Sequence, residues 1–300
     1  MMEEQVPTFE CLPIRRRQFL AGGVLMMSSL GGGGLVTGAT PANVRLRLGV
    51  VTDLHYADKA TAGTRFYRES LPKLTEAIHW FRQKKVARVV ELGDLIDAAD
   101  SVDIELGYLE TIHKLLAKAP GKKHFVLGNH CVDMLTKDEF LGGVGATNSF
   151  GSFDEGGFHF VILDACFRHD GKPYGRKNSQ WTDPNIPEFQ VEWLKADLAK
   201  TNLPVVVFVH QRLDVGEPYG IKNAAGVRHV LESAGKVRLV LQGHSHKNDY
   251  REINRIHYVT LVAMVEGSGL ANSGAAILNL HEDGALSLEG HRRQKAYPLA

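Results

Sequence analysis

The feature that most constrains the fold is a series of short apolar runs that each end in a polar motif. Five such motifs occur in order along the chain: Asp53-Leu54-His55, Gly93-Asp94-Leu95-Ile96-Asp97, Gly128-Asn129-His130, His210 and Gly243-His244-Ser245-His246. The runs before them have the length and the Val and Leu content of buried strands. In open α/β sheets, ligands gather at the carboxyl ends of strands. We therefore expect the five motifs to meet at one edge of a sheet.

Segments with helical periodicity separate the apolar runs, which predicts an α/β fold. Strands are predicted at 44–51, 86–92, 123–127, 149–153, 158–163, 205–209 and 237–241. Helices are predicted at about 67–84, at 102–116, around Val191 to Leu198, and at 223–234. Three strand–helix units in succession indicate parallel pairing with right-handed crossovers. The alternating runs in 249–290 predict antiparallel sheet, and the polar stretch 168–187 predicts a long loop that is either functional or disordered.

The first 40 residues have the order of an export signal. Arg15-Arg16-Arg17-Gln18-Phe19-Leu20 precedes a Gly-rich apolar run, and small residues follow it. This order resembles a twin-arginine signal peptide, and the glycines at 31–34 disfavour a membrane-spanning helix. A disordered tail or a retained anchor is the alternative. We expect residues 1–40 to be a signal peptide, residues 41–300 to be a single domain, and the mature protein to be periplasmic or otherwise exported, without a stable membrane span.

Composition excludes several functional classes. The formal net charge is +1, so no bulk field attracts nucleic acid, and we expect no nucleic-acid partner. The three cysteines lack a CxxC spacing, which excludes a zinc knuckle or a thioredoxin-type site. We expect Cys131 and Cys166 to be buried thiols, with a disulfide between them as the alternative. No Walker-type glycine loop is present, which argues against ATP-driven transfer.

The five motifs together supply a ligand inventory for metals. They carry two candidate carboxylates, one amide and four imidazoles, which suits two divalent ions that share a carboxylate. If Asp53 and His55 lie in extended backbone, the single residue between them directs both side chains to the same face. Oxygen and imidazole ligands without thiolate suit Mn, Fe or Zn.

The order of the motifs resembles the calcineurin-like metallophosphoesterase family, whose pattern is D-x-H, G-D-x-x-D, G-N-H, H and G-H-x-H. The match spans residues 48–247 and implies a four-layer α/β/β/α sandwich of two mixed sheets. For the first metal, the resemblance implies Asp53, His55, Asp94 and His246. For the second, it implies Asp94, Asn129, His210 and His244. It further implies that Asp97 orients ligands and that His130 acts beside the reacting phosphate, as transition-state donor or leaving-group acid.

Other stretches are similar to one branch of that family, the Mn-dependent ADP-ribose/CDP-alcohol diphosphatases. These stretches are Tyr56-Ala57-Asp58, the Arg- and Tyr-rich segment 64–71, and His257-Tyr258-Val259-Thr260-Leu261. The similarity implies hydrolysis of phosphodiester or pyrophosphate bonds in small nucleotide derivatives by a metal-held hydroxide, and it favours Mn. Two positions depart from the pattern. Cys131 stands where the family usually has an acidic residue, and His55 stands where the branch often has Gln, so the metal preference does not transfer directly.

Candidate substrate-binding residues lie near the motifs. Arg65 and Arg212 are candidates to bind a second phosphate, because guanidinium makes bidentate phosphate contacts, whereas we expect Arg68 to be a solvated helix-start residue. Tyr56 or Tyr174 could stack on a base or could be ordinary surface tyrosines.

Other functions on the same pattern stay open. The alternatives are a phosphomonoesterase or a cyclic-nucleotide phosphodiesterase on the same fold, and a non-catalytic scaffold. All seven candidate ligands are present, which argues against the scaffold. The sequence leaves the physiological substrate and the oligomeric state open.

Overall fold

The computed structural model describes residues 43–299, so the predicted signal peptide at 1–40 lies outside the described residues. The strands are β1 (Val44–Val51), β2 (Arg88–Glu91), β3 (Lys122–Phe125), β4 (Gly151–Glu155), β5 (Phe158–Ile162), β6 (Val205–Phe208), β7 (Val237–Gln242), β8 (Asp249–Ile253), β9 (Ile256–Thr260), β10 (Gly274–His281), β11 (Leu286–Arg292) and β12 (Tyr297–Leu299). The helices are α1 (Ser70–Gln83), α2 (Val102–Leu116), α3 (Lys137–Val144), α4 (Glu188–Lys200) and α5 (Ala224–Ser233). No helix in this range is long and apolar enough to cross a membrane.

The strands form two mixed sheets of six. The first has the order β12-β11-β10-β1-β2-β3 and the second has the order β4-β5-β6-β7-β9-β8. In the first sheet, β1, β2 and β3 are parallel neighbours, and β10 runs antiparallel to β1. In the second sheet, β5, β6, β7 and β9 are parallel neighbours. The parallel strands form one half of the first sheet and the centre of the second, and their carboxyl ends can hold ligands.

Three apolar cores separate four layers. One core lies between the sheets and includes Leu48 of β1 and Phe208 of β6. A second core packs α1, α2 and α3 on the outer face of the first sheet, with Phe81 at its centre. A third packs α4 and α5 on the outer face of the second sheet. The predicted α/β/β/α sandwich of two mixed sheets is confirmed.

The antiparallel pairing predicted for residues 249–290 was confirmed in part. β8 pairs antiparallel with β9, and β10 pairs antiparallel with β11. The two pairs belong to different sheets, however, and β9 also pairs parallel with β7. Alternating apolar residues indicate a strand but not its partner, so the pattern could not separate the two sheets. Helix α3 was missed, although Thr136 and Glu139 form a capping box before it and Gly145 ends it in left-handed backbone.

Candidate metal centre

Loops at the carboxyl ends of five parallel strands bring the five motifs together. Asp53 follows β1, Asp94 follows β2, Asn129 follows β3, His210 follows β6 and His244 follows β7. Backbone hydrogen bonds fasten these loops to one another. The N–H of Asp53 donates to the carbonyl of Gly93 at 2.9 Å, and that of Gly243 donates to the carbonyl of His210 at 3.0 Å. Across the two sheets, the N–H of His244 donates to the carboxylate of Asp53 at 3.2 Å, so the ligand loops form one connected surface.

Most of the candidate ligands occupy left-handed backbone. The φ angles are 50° at Asp53, 43° at His55, 56° at Asp94, 67° at His244 and 60° at His246. The expectation that Asp53 and His55 converge from extended backbone was therefore wrong. Left-handed backbone is unfavourable for residues with a Cβ, and it persists where the surrounding structure over-determines it, which is common at functional sites.

Two glycines make room for the ligands. Gly93 has a φ of 105°, and a Cβ at this position would overlap the imidazole of His210. A Cβ at Gly128 would overlap the carboxylate of Asp94. The glycines of the second and third motifs are therefore needed for the close approach of their neighbours.

The first group of candidate ligands consists of Asp53, His55 and His246, whose ligand atoms lie within 4.8 Å of one another. The Nε2 atoms of His55 and His246 are 3.1 Å apart, and Asp53 Oδ1 lies 3.4 Å from His246 Nε2. Asp53 is fully buried, and its carboxylate accepts a hydrogen bond from Thr52 Oγ1 at 2.7 Å.

The second group consists of Asp94, His210 and His244, again with ligand atoms within 4.8 Å of one another. His210 donates from Nδ1 to the carbonyl of Leu92 at 2.9 Å, which fixes the ring with Nε2 toward Asp94. Asp94 Oδ2 lies 3.1 Å from His210 Nε2 and 3.5 Å from His55 Nε2. The Asp94 carboxylate therefore faces both groups, as the bridging role requires.

Unpartnered buried atoms show that this donor set fits metal ions. His244 Nε2 and Asn129 Oδ1 are buried without a hydrogen-bond partner, and His210 Nε2 is buried with Asp94 Oδ2 at 3.1 Å but without a well-directed hydrogen bond. Buried polar atoms are normally satisfied, and an unsatisfied one calls for an explanation such as a bound ion. All three atoms are metal ligands in chemical type, and together with the two carboxylates they suit a pair of divalent cations.

Electrostatics in the metal-free protein divides the four imidazoles into two pairs. Burial would lower the pKa of His210, but the charges of Asp94 and Asp53 raise it to about 9. Burial would also lower the pKa of His246, and Asp53 and Glu266 raise it to about 9.

The other two imidazoles are held neutral. Burial lowers the pKa of His55 to about 4 and that of His244 to about 3, and positive neighbours add to both effects. Protons on His210 and His246 thus balance the carboxylates, and metal ions would displace those protons.

Asp97 and His130 form a hydrogen-bonded pair beside the two groups. Asp97 Oδ1 lies 2.8 Å from His130 Nδ1. Burial alone would raise the pKa of Asp97. The hydrogen bond to His130 and the charge of the His130 ring instead hold the pKa of Asp97 below the usual range of an aspartate. Burial alone would lower the pKa of His130, and the charges of Asp94 and Asp97 raise it instead. The pair can therefore keep a proton on the His130 ring.

The structure adds supporting residues that the sequence did not reveal. Glu266 follows β9, and its Oε1 lies 2.7 Å from His246 Nδ1, so it orients that ring. Lys73 is a buried residue of α1 that donates to the carbonyls of Met264 at 2.9 Å and Gly267 at 2.6 Å, which holds the Glu266 loop. The available signal was the spacing of Lys73, four residues before Ala77 and eight before Phe81, which places it on the apolar face of the predicted helix, where a charge needs partners.

Glu105 of α2 ties two loops of the centre together. Its buried carboxylate accepts hydrogen bonds from the backbone N–H of Ala99 at 2.9 Å and of Leu135 at 3.1 Å. Ala99 lies two residues beyond Asp97, and Leu135 lies beyond the Asn129–Val132 turn. Glu105 therefore fixes the loop that carries Asp97 against the loop that carries His130.

The predicted substrate-binding residues occupy different environments. Arg65 is partly exposed, and its Nη1 lies 3.7 Å from Asp97 Oδ2, next to the centre. Lys59, which the sequence did not single out, lies 3.5 Å from Asp97 Oδ1. Arg212 is buried and binds Asp214 and Asp249 at 2.7 and 2.6 Å, so its guanidinium is already neutralised.

The tyrosines and cysteines near the motifs are part of the interior. Tyr56 is buried edge-on against Tyr108, and Tyr174 is buried with its hydroxyl donating to the carbonyl of Gln180 at 3.1 Å. Neither is an ordinary surface tyrosine. Cys131 and Cys166 are free and buried, which confirms the expected thiols.

An open cavity of about 370 Å³ adjoins the centre. It is lined by Asn129, His130, Asp133 and the segment 179–182. The segment 179–182 lies in the long polar loop predicted at 168–187. A substrate can therefore enter between this loop and the ligand residues.

Comparisons with known proteins agree with this geometry. The model of the calcineurin-like phosphoesterase family matches residues 46–248 of the 300-residue chain. The manganese-dependent ADP-ribose/CDP-alcohol diphosphatase of Arabidopsis thaliana is 25% identical over 268 residues, covering 73% of this chain and 86% of that protein.

Solved structures share the fold. A dimetal phosphatase from Danio rerio has a TM-score of 0.75 at 21% identity, covering 86% of this chain and 100% of that one. A purple acid phosphatase from yellow lupin, Lupinus luteus, has a TM-score of 0.55 at 18% identity, covering 86% of this chain and 53% of that one. At these identities the likeness concerns the fold.

Proposed function

Since the chain belongs to the calcineurin-like phosphoesterase family and is a metal-dependent phosphoester hydrolase, we propose that it cleaves phosphodiester or pyrophosphate bonds in small nucleotide derivatives. The substrate class is that of ADP-ribose and CDP-alcohols, which the Arabidopsis relative's name gives. The observation that supports the proposal is the two groups of candidate ligands that the Asp94 carboxylate faces. His130 lies beside them at an open cavity.

The residues that would hold the metals follow from the two groups. Asp53, His55, Asp94 and His246 would hold one ion, and Asp94, Asn129, His210 and His244 would hold the other. A bound pair of divalent ions, for which manganese is favoured, supplies Lewis-acid polarisation of the phosphoryl oxygens and lowers the pKa of water. Thr52 and Leu92 fix Asp53 and His210, so the site is organised before any ion binds.

His130 would act on the leaving group or on the transition state. Its Nδ1 is engaged by Asp97, so Nε2 is the nitrogen that can donate to substrate. The charges of Asp94 and Asp97 raise the pKa of His130, which favours the protonated ring more than in an ordinary histidine. A proton held at Nε2 would neutralise charge that develops on the departing oxygen.

Positive side chains beside Asp97 would receive a second phosphate. Arg65 and Lys59 have side chains about one third exposed, at 32% and 35%, and each lies within 4 Å of Asp97. A diphosphate with one phosphate at the ligand groups can extend its second phosphate toward these cations. Arg212 is not assigned to phosphate binding, because Asp214 and Asp249 occupy its donors.

A substrate panel with added manganese tests the proposal. Turnover of ADP-ribose and CDP-choline should exceed that of cyclic nucleotides and of p-nitrophenyl phosphate. Preference for p-nitrophenyl phosphate would instead support a phosphomonoesterase, and preference for cyclic nucleotides a cyclic-nucleotide phosphodiesterase. Absence of turnover with metal bound would support a non-catalytic scaffold. The His130→Ala variant should keep its metal and lose rate by roughly 100- to 10,000-fold.

We also propose export by the twin-arginine pathway. The basis is the sequence pattern Arg16-Arg17-Gln18-Phe19-Leu20 followed by an apolar run. Cell fractionation should show that Arg16→Lys combined with Arg17→Lys abolishes export. The matched control is Arg15→Lys, which changes the neighbouring arginine outside the pair and should leave export intact. Unchanged export of the double variant would contradict the proposal.

A further inference from the structure

Two exposed aromatic side chains lie against each other beside the metal centre. Trp181 belongs to the long polar loop and is 45% exposed, and Tyr219 belongs to the loop after β6 and is 40% exposed. Their ring centroids are 5.6 Å apart, with an angle of 44° between the planes. Exposed aromatic surface in contact with a second exposed ring offers a binding face for another flat, apolar group.

Both rings also contact a candidate metal ligand. The His244 ring centroid lies 5.7 Å from that of Trp181 and 5.9 Å from that of Tyr219. The aromatic pair therefore lies directly beside His244 of the second ligand group. A substrate whose reacting phosphate lies at the centre can therefore place a neighbouring group against these two rings.

The cavity beside the centre is lined by one of the two rings. Trp181 lines the same cavity of about 370 Å³ as Asn129 and His130. Its volume is within the range of small-molecule sites. The cavity is thus lined by a candidate metal ligand, the predicted proton donor and a tryptophan.

Hydrogen bonds hold the two aromatic loops together. The N–H of Lys222 donates to the carbonyl of Pro184 at 2.8 Å, which joins the Tyr219 loop to the Trp181 loop. The N–H of Arg212 donates to the carbonyl of Tyr219 at 3.3 Å, and the Arg212 guanidinium is fixed by its two aspartates. The aromatic pair is therefore built on fastened loops.

We propose that Trp181 and Tyr219 form an aromatic platform that stacks the nucleobase of the substrate. The inference rests on the proposed function and deepens it, because it names the part of the substrate that is recognised. At a separation of 5.6 Å the two rings contact each other, so the base stacks on the outer face of the pair and does not insert between them. Base–aromatic stacking tolerates different bases, which suits both adenine and cytosine derivatives.

The test compares two chromogenic diesters with the same leaving group. Thymidine 5′-p-nitrophenyl phosphate carries a base, and methyl p-nitrophenyl phosphate does not. In Trp181→Leu and in Tyr219→Leu, kcat/KM for the thymidine diester should fall by roughly 5- to 150-fold, the range that stacking energies predict. The methyl diester should change by less than about twofold. An equal loss for both diesters, or no loss for either, would overturn the platform.

A binding measurement separates this inference from the proposed function. AMP should bind the manganese-loaded protein more tightly than ribose 5-phosphate, and Trp181→Leu should abolish the difference. The control is Phe189→Leu, which removes another exposed aromatic ring, packed against Phe150 and Phe167. Equal binding of AMP and ribose 5-phosphate to the unaltered protein would overturn the platform even if hydrolysis is observed. Tighter AMP binding without hydrolysis would support the platform and contradict the proposed function.

Discussion

Replacement of Asp97 by Asn removes one charge from the centre and keeps an oxygen acceptor in place. Asp97 Oδ1 lies 2.8 Å from His130 Nδ1 and accepts from the N–H of Ala98 at 2.7 Å. The side chain is only 4% exposed, so solvent screens the lost charge poorly. An asparagine oxygen can make the same two contacts. The substitution therefore tests the charge of Asp97 with little change in packing.

The expected magnitude follows from the single bond to His130. A hydrogen bond to a charged group contributes about 1.5–3 kcal/mol and a neutral one about 0.5–1.5 kcal/mol, so keeping the bond without the charge should cost about 1–1.5 kcal/mol, which is roughly 5- to 12-fold in rate. We expect this loss in kcat, because His130 acts on the developing charge, and little change in KM. Asp97 is one of the charges that raise the pKa of His130. Its loss should lower that pKa, so the alkaline limb of the kcat profile should move to lower pH.

The assay is the pH dependence of kcat for bis-p-nitrophenyl phosphate at saturating manganese, with metal content measured on the same samples. Asp100→Asn is the matched control, because Asp100 is in the same loop, is fully exposed, and lies 3.8 Å from Lys177. This control should keep the full rate. Full activity of Asp97→Asn with metal bound would refute the role of the pair. Loss of metal would show that Asp97 acts through the ligands.

Three further substitutions or measurements test the surrounding residues. Glu266→Gln should weaken manganese affinity about 10- to 100-fold, because Glu266 orients His246; an unchanged metal titration would contradict this. His210 and His246 have pKa values raised to about 9 in the metal-free protein, so their protons must leave when metal binds. Manganese affinity should therefore increase from pH 7 to 9. Calorimetry in buffers of different ionisation enthalpy should detect the released protons, and a pH-independent affinity would contradict this prediction. Glu105→Gln should lower the free energy of unfolding in urea by about 1–3 kcal/mol, because an amide N–H would face a backbone N–H. The control, Glu110→Gln on the exposed face of α2, should leave the free energy of unfolding unchanged.

The sequence predicted strands at the positions of β1, β2, β3, β6 and β7, and parallel pairing for the first three, because apolar runs alternate with helical segments there. Such strands are nearly continuous apolar runs, as in β6, and each run ends at a polar motif. The convergence of the motifs follows from the shared direction of these strands. The order of the motifs, combined with the family resemblance, then gave the two ligand sets that the structure brings together.

Other features depend on contacts that local patterns do not encode. Glu266 is placed by the parallel pairing of β9 with β7, which the alternating pattern did not predict. The left-handed backbone at Asp53 and His55 depends on the surrounding loops, because it is uncommon for any residue with a Cβ, although Asp and His adopt it more often than most. Arg212 reads as a phosphate ligand in the sequence, and only the fold shows that Asp249, 37 residues away, neutralises it.

The central claim is that Asp94 joins two metal sites in one cleft. Anomalous diffraction from manganese-soaked crystals, with metal analysis of the same protein, tests it most directly. We expect two ions per chain, one beside Asp53, His55 and His246 and the other beside His210 and His244, with Asp94 contacting both. In Asp94→Asn, both ions should be lost or bound far more weakly. A single ion, ions remote from Asp94, or full occupancy in Asp94→Asn would contradict the claim.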